Sequence, residues 1–161
     1  MQPLAPYPQI TALQNNPIYA NEMLSNIGGE TSEMSAISLY FYNHVVTQEH
    51  AEISGAFSQI SRVEMRHLEL FANAAFLLGA DPRLWARRGR KLVYWSPKYN
   101  TYSQNLSRLL TKALYAEYMA VEKYTRQAKK IKDPALVALL ERIIQDEKEH
   151  IRVFRELLLQ L

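Results

Sequence analysis

Apolar residues recur with helical spacing along most of this chain, and near the middle of each helical stretch polar residues stand where apolar ones should be. The clearest stripe is Ile53, Phe57, Ile60, Glu64, His67, Phe71, Ala74 and Leu78, spaced at alternating steps of 4 and 3. That spacing keeps all eight residues on one helix face, turned toward neighbouring helices. Leu136, Leu140, Ile143, Glu147, His150, Phe154, Leu157 and Leu161 repeat the same steps at a constant offset of 83. Both stripes carry Glu-x-x-His at their centre. Two further stretches match at an offset of 84: Glu33, Ala36, Ile37 and Tyr40 correspond to Glu117, Ala120, Val121 and Tyr124. Glu30 falls opposite Leu114, which selects Glu33 as the interior carboxylate. The chain reads as two copies of a helix pair, each bearing Glu, then Glu-x-x-His.

The boundaries predict an all-α, antiparallel four-helix bundle over residues 17–161, preceded by an extended, Pro-rich lead-in over 1–16. The expected helices span about 17–46, 48–78, 102–131 and 134–160. Pro17 suits a first helical residue, and Gly28-Gly29 is a place where the first helix can loosen or break. Thr47 is the expected N-cap of the second helix, which stops at Gly79. Asp81-Pro82 is expected to cap a short helical turn, Thr101 or Ser103 to open the third helix, and Asp133-Pro134 the fourth. Short turns within each pair and one long crossover, about 79–101, define ferritin-like connectivity.

Composition supports helices: Gly (5) and Pro (7) are scarce and clustered. There is no cysteine, which excludes disulfides, thiolate zinc sites, iron–sulfur clusters and a catalytic thiol. A net charge of +3 gives no reason to expect nucleic acid as a partner. No apolar run is long enough to span a bilayer, and the N-terminus lacks signal-peptide features, so a soluble cytoplasmic protein is expected.

Carboxylates in a bundle core are costly unless paired, protonated or bound to cations. Counted along the helices from the predicted turns, Glu33, Glu64, Glu117 and Glu147 fall at nearly one height. Two divalent cations would balance four carboxylates, with His67 and His150 as neutral ligands. A carboxylate- and imidazole-rich donor set suits iron and manganese better than softer metals.

A Glu from each of two helices plus Glu-x-x-His from the other two resembles the ferritin-like superfamily of di-iron and di-manganese carboxylate proteins. Glu33-Met-Ser-Ala36-Ile-Ser-Leu-Tyr40 and Glu64-Met-Arg-His67-Leu-Glu-Leu-Phe71 look most like its rubrerythrin branch, over about residues 20–78 and 101–161. The resemblance implies Glu33, Glu64, His67, Glu117, Glu147 and His150 as ligands, acting through the metals, with Glu64 and Glu147 as bridges. Tyr40 and Tyr124 would bond to ligand carboxylates. It implies two iron ions (alternatively two manganese, or a mixed pair) reacting with peroxide or dioxygen.

Two departures stand out. Rubrerythrins usually carry a cysteine-ligated rubredoxin-type domain, which this chain lacks, so peroxidase chemistry would need a separate electron-donor protein. They also tend to have a second Glu three residues from the third-helix ligand, where this chain has Leu114 and Ala120. Manganese-catalase chemistry, ferritin-like iron oxidation and storage, and a purely structural bundle are the alternatives. His44 and His50 are expected at the surface or as caps. Arg83, Arg87, Arg88, Arg90 and Lys91 are expected in a solvated crossover, with Tyr94, Trp95, Tyr99 and Tyr102 packing it on the bundle or meeting another subunit. The Leu-rich C-terminus (Leu157, Leu158, Leu159, Leu161) points to a homo-oligomer.

Overall fold

The computed structural model describes residues 4–161, so residues 1–3 of the lead-in lie outside it. Five α-helices make a bundle of four arms: α1 (Pro17–Gly28), α2 (Glu33–Val46), α3 (Ala51–Leu77), α4 (Leu106–Lys130) and α5 (Pro134–Leu159). α1 and α2 together form the first arm. Between α3 and α4 lie two short strands, β1 (Trp85–Arg88) and β2 (Lys91–Tyr94), then a 3-10 turn at Pro97–Tyr99. α2 packs along α3, and α4 along α5.

The first arm is two helices rather than the single one expected over 17–46. Gly28 explains the break. Its backbone lies against β1, where an added Cβ would sit 2.4 Å from the Trp85 nitrogen. The chain leaves α1 there and restarts at Ser32, whose side chain accepts from the Ser35 N–H. Lys123 of α4 clamps the interruption, donating to the carbonyls of Ser25 (2.9 Å) and Thr31 (2.7 Å). Gly28→Ala should therefore destabilise the protein by about 1–3 kcal/mol, since backbone rather than a flexible side chain must yield. Chemical denaturation of the two proteins side by side measures this.

Three expected caps fall elsewhere. Thr47 closes α2 instead of opening α3: it is fully buried and its hydroxyl donates back to the Asn43 carbonyl (2.7 Å). That i−4 bond competes with capping the next helix, and α3 begins at Ala51. His44 ties this turn together through Ser54, with Nδ1 3.0 Å from its carbonyl oxygen, while His50 makes no side-chain cap bond. Asp81-Pro82 starts no helix, because the Asp81 carboxylate is taken by Arg83 Nε (2.9 Å) and the chain turns into β1. α4 opens at Asn105, whose side chain accepts from the Arg108 N–H (2.9 Å), rather than at Thr101 or Ser103. Upstream, Asn100 is bonded to Ser35 and Ser38 of α2, which holds the chain extended past the bundle edge.

The crossover is a β-hairpin, not an irregular loop. Gly89, at φ 60°, starts its two-residue turn, the position where that turn favours glycine. Trp85 and Tyr94 stack (5.4 Å between centroids), and Trp95 Nε1 donates to Ser35 Oγ (3.0 Å). Arg87, Arg88, Arg90 and Lys91 are exposed on it. No helix among the described residues is long and apolar enough to cross a membrane.

All eight residues of the α3 stripe are buried, as are the α5 stripe residues from Leu136 to Leu157; Leu161, beyond the end of α5, is exposed. The apolar interior divides into two clusters. One gathers Met23, Ile27, Phe71, Leu78, Leu136 and Leu140. The other gathers Tyr40, Ile60, Phe57, Leu110 and Phe154. The interrupting Glu and His residues occupy the level between them.

Candidate metal centre

The six residues that the stripes single out converge at one level. Glu33, Glu64, Glu117, Glu147, His67 and His150 are each at most 2% exposed. Their donor atoms form two groups, Glu33–Glu64–His67–Glu147 and Glu64–Glu117–Glu147–His150, each with ligand atoms within 4.8 Å of one another. Glu64 and Glu147 belong to both. His67 Nδ1 lies 3.0 Å from Glu64 Oε2 and 3.2 Å from Glu147 Oε1. His150 Nδ1 lies 2.9 Å from Glu64 Oε1 and 2.9 Å from Glu147 Oε2. Each shared carboxylate thus turns one oxygen to each histidine, the disposition a bridging carboxylate needs. Glu33 is 3.9 Å from His67 Nδ1 and Glu117 is 3.5 Å from His150 Nδ1, so each serves one side. Glu30 stays outside, exposed and paired with Arg88 at 3.6 Å.

Glu33 is the first residue of α2, aimed inward by the restart of the helix after Ser32. The other carboxylates and both histidines lie within the long helices α3, α4 and α5. The two tyrosines connect the halves crosswise. Tyr40 donates to Glu117 Oε1, and Tyr124 donates to Glu33 Oε1. Each ring is held in the apolar cluster on its own side, Tyr40 against Phe57 and Phe154, Tyr124 against Phe71.

Without cations this cluster must hold protons. Burial and the charges of Glu64 and Glu147 push the Glu33 carboxyl well above the usual range and Glu117 up to about 8. Burial would raise Glu64 as well, but His150 and His67 on either side hold it well below the usual range. Burial disfavours charge on the histidines; the surrounding carboxylates outweigh it and raise both. Even so, Glu64 Oε1, both Glu147 oxygens and His150 Nδ1 are buried without an aligned hydrogen bond. Four orphaned donor atoms at one spot are what a bound cation would satisfy. The residues present fit a pair of divalent ions.

Three neighbours of the cluster escape the sequence pattern. Asp146 accepts from the His67 ring at Nε2 (3.0 Å) and from the Tyr7 hydroxyl (2.6 Å), and Arg142 pairs with it at 2.8 Å. Burial would raise Asp146; these three partners hold it at about 2 instead. Asp146 sits one residue off its stripe, where charge reads as helix surface. Tyr7 comes from the lead-in, which has no periodicity to place it.

On the opposite side, a cavity of about 510 Å³ opens between α2 and α4. It runs inward past Ala36, Leu39, Ala116 and Ala120 to the four carboxylates, and Tyr99, Asn100, Thr101 and Tyr115 stand at its mouth.

This bundle, with its buried Glu-x-x-His pairs and matched glutamates, has the ferritin-like architecture. The sequence profile of the rubrerythrin family matches residues 25–158, and the chain belongs to that family. Its fold is shared with KatB, a manganese catalase from Anabaena (22% identity, TM-score 0.80, covering 97% of this chain and 77% of that one). It is shared also with the Mycobacterium tuberculosis bacterioferritin BfrA (22%, TM-score 0.72, 89% and 86%). A dodecameric thioferritin, the bacterioferritin-related protein of Bacteroides fragilis, is similarly close (19%, TM-score 0.72, 91% and 88%). No curated protein sequence matches the chain.

Proposed function

We propose that the cluster holds two metal ions, iron in the first instance, and that the protein is an oxidoreductase acting on peroxide or dioxygen. The observation that carries this reading is the sharing of Glu64 and Glu147 between two four-residue donor groups whose buried atoms are otherwise unsatisfied. Glu33 and His67 would complete one ion's shell, and Glu117 and His150 the other's. Bound there, the pair would supply redox equivalents and Lewis acidity toward a peroxide or dioxygen substrate.

The chain's own contribution is geometric and electrostatic. Tyr40 and Tyr124 fix the rotamers of Glu117 and Glu33, and their hydroxyls are proton donors beside the site. The flanking apolar clusters keep bulk water out from above and below, leaving the cavity between α2 and α4 as the route for a small oxidant. These 161 residues include no cysteine to hold a thiolate-ligated electron-transfer centre, so a peroxidase cycle would draw its electrons from a donor outside them.

Manganese-catalase chemistry is the second reading. The match to KatB over 97% of this chain supports it, and disproportionation of peroxide needs no external electrons. Assembly into a homo-oligomer fits the exposed Phe41, Phe76, Tyr115 and Leu159 and the dodecameric state of the Bacteroides fragilis neighbour. Stopped-flow mixing with hydrogen peroxide separates the two chemistries. Iron-loaded, reduced protein should consume about one peroxide per pair of ions and then stall until a reductant is added. Steady oxygen release by manganese-loaded protein would favour the second reading, and no reaction with either metal would reject both.

A further inference from the structure

The two halves of the candidate centre are built alike on the inside and differently on the outside. α3 and α5 correspond residue for residue at an offset of 83, which pairs Glu64 with Glu147 and His67 with His150. The same offset pairs Asp146 with Val63 and Arg142 with Gln59. His67 therefore has a carboxylate behind it, and His150 has none. All of His150's acidic neighbours among the described residues face Nδ1, the nitrogen turned to the cluster.

The carboxylate behind His67 is locked in turn by the N-terminal segment. Tyr7 donates to the same Asp146 oxygen that accepts from His67. Its ring meets the His67 ring edge-on at 6.1 Å and lies under the Arg142 guanidinium at 4.3 Å. Arg142 Nε also donates to the Ala5 carbonyl. Further along, the Asn16 N–H bonds to the Leu78 carbonyl (3.1 Å), while Ile10 and Leu13 pack on the apolar cluster. Residues 5–16 thus form a strap across the α3 and α5 side of the bundle, with Tyr7 as the residue that reaches the site.

A hydrogen bond from Nε2 to a carboxylate fixes the imidazole tautomer, leaves Nδ1 free to donate its lone pair inward, and makes it a stronger ligand. Only the His67 side has this. We propose that the two metal positions are unequal, the one at His67 filling first and holding its ion more tightly, and that the Tyr7 strap is the latch responsible for the difference. Tyr7 and Asp146 are positioning residues in this scheme, since neither is placed to touch a metal. The proposal rests on the reading that the cluster binds two ions.

The test is an anaerobic titration of the metal-free full-length chain with Mn(II), followed by calorimetry and by the resonance signal of free Mn(II). Wild-type protein should bind two ions in steps separated by about tenfold or more, the scale set by outer-shell partners of a ligand. Glu33→Gln should remove the tighter step and Glu117→Gln the weaker one, which assigns each step to a side. Tyr7→Phe, which keeps the ring and removes only the hydroxyl, should weaken the tighter step by about 10- to 100-fold and leave the weaker one in place. Asp146→Asn should do the same. Two equal steps in wild type would overturn the proposal, as would Tyr7→Phe acting on neither step or on both alike. Failure of the wild type to bind Mn(II) at all would reject the two-ion reading, and the proposal with it.

Discussion

Replacing both shared carboxylates, Glu64→Ala with Glu147→Ala, is expected to take the bound metal from two ions per chain to none while the protein stays helical. These two residues alone belong to both donor groups, and each turns one oxygen to each histidine. Removing them leaves either position with one carboxylate and one imidazole, too few ligands to hold a hard divalent ion against water. The fold has no comparable dependence on them. Its stability comes from the apolar clusters on either side, anchored by Phe57, Phe71, Phe154 and the Leu and Ile residues of the α5 stripe. Truncation leaves cavities and removes partners of His67 and His150, at a cost of a few kcal/mol. It also relieves the repulsion that raises Glu33 and Glu117. Elemental analysis after loading, with far-ultraviolet circular dichroism on the same sample, reads both halves of the result. Full loading of the double variant would mean that the metal sits elsewhere.

The second large effect is a reversal of the pH dependence of stability on loading. Without metal, Glu33, Glu117, His67 and His150 all have folded-state pKa values above their ordinary ones. Above pH 4.5 the unfolded chain begins to release carboxyl protons that the folded protein keeps, and above pH 6.5 it releases imidazole protons as well. The folded state then binds more protons than the unfolded state, so stability falls as pH rises. Glu64, held low, works in the opposite sense, but only as pH falls into the acid range. The metal-free protein should therefore melt at a lower temperature at about pH 8 than at about pH 6. Each extra proton held is worth about 1.4 kcal/mol per pH unit, or about 2–4 °C in a chain of this size.

Loaded protein should behave the other way. Ions must displace those four protons to bind, so the apparent affinity rises with pH, by about tenfold per unit for each proton released. Melting curves of both forms at these two pH values show the crossing directly. Parallel curves would contradict the assignment of protons to these residues.

The interior of the site could be read from the sequence because it obeys the helical repeat. A Glu and a His inside an otherwise apolar stripe stand out, and the offsets of 83 and 84 supply the partners. The same repeat brought Tyr40 and Tyr124 into view, though not their crosswise bonding. What escaped was anything decided by contacts between non-repeating segments. Gly28-Gly29 marked a weak point in the first arm, but its break depends on Gly28 lying against Trp85, far along the chain. The hairpin was hidden by its charges. Arg87, Arg88, Arg90 and Lys91 surround Gly89 and leave Trp85, Val93 and Tyr94 as too few strand-forming residues to mark two strands. Thr47 offered two local hydrogen bonds, and the backward one to Asn43 won. Arg142 and Asp146 pair locally, one turn apart on α5, but Tyr7 reaches them only because the lead-in folds back across α3 and α5, which no local pattern encodes.

The identity of the occupants is most directly tested by anomalous diffraction from crystals of protein grown with Fe(II) or Mn(II). Two peaks are expected, one between Glu33 and His67 and one between Glu117 and His150, with Glu64 and Glu147 reaching both. A map with no peak among these six side chains, or with the only peaks on surface carboxylates, would contradict the account.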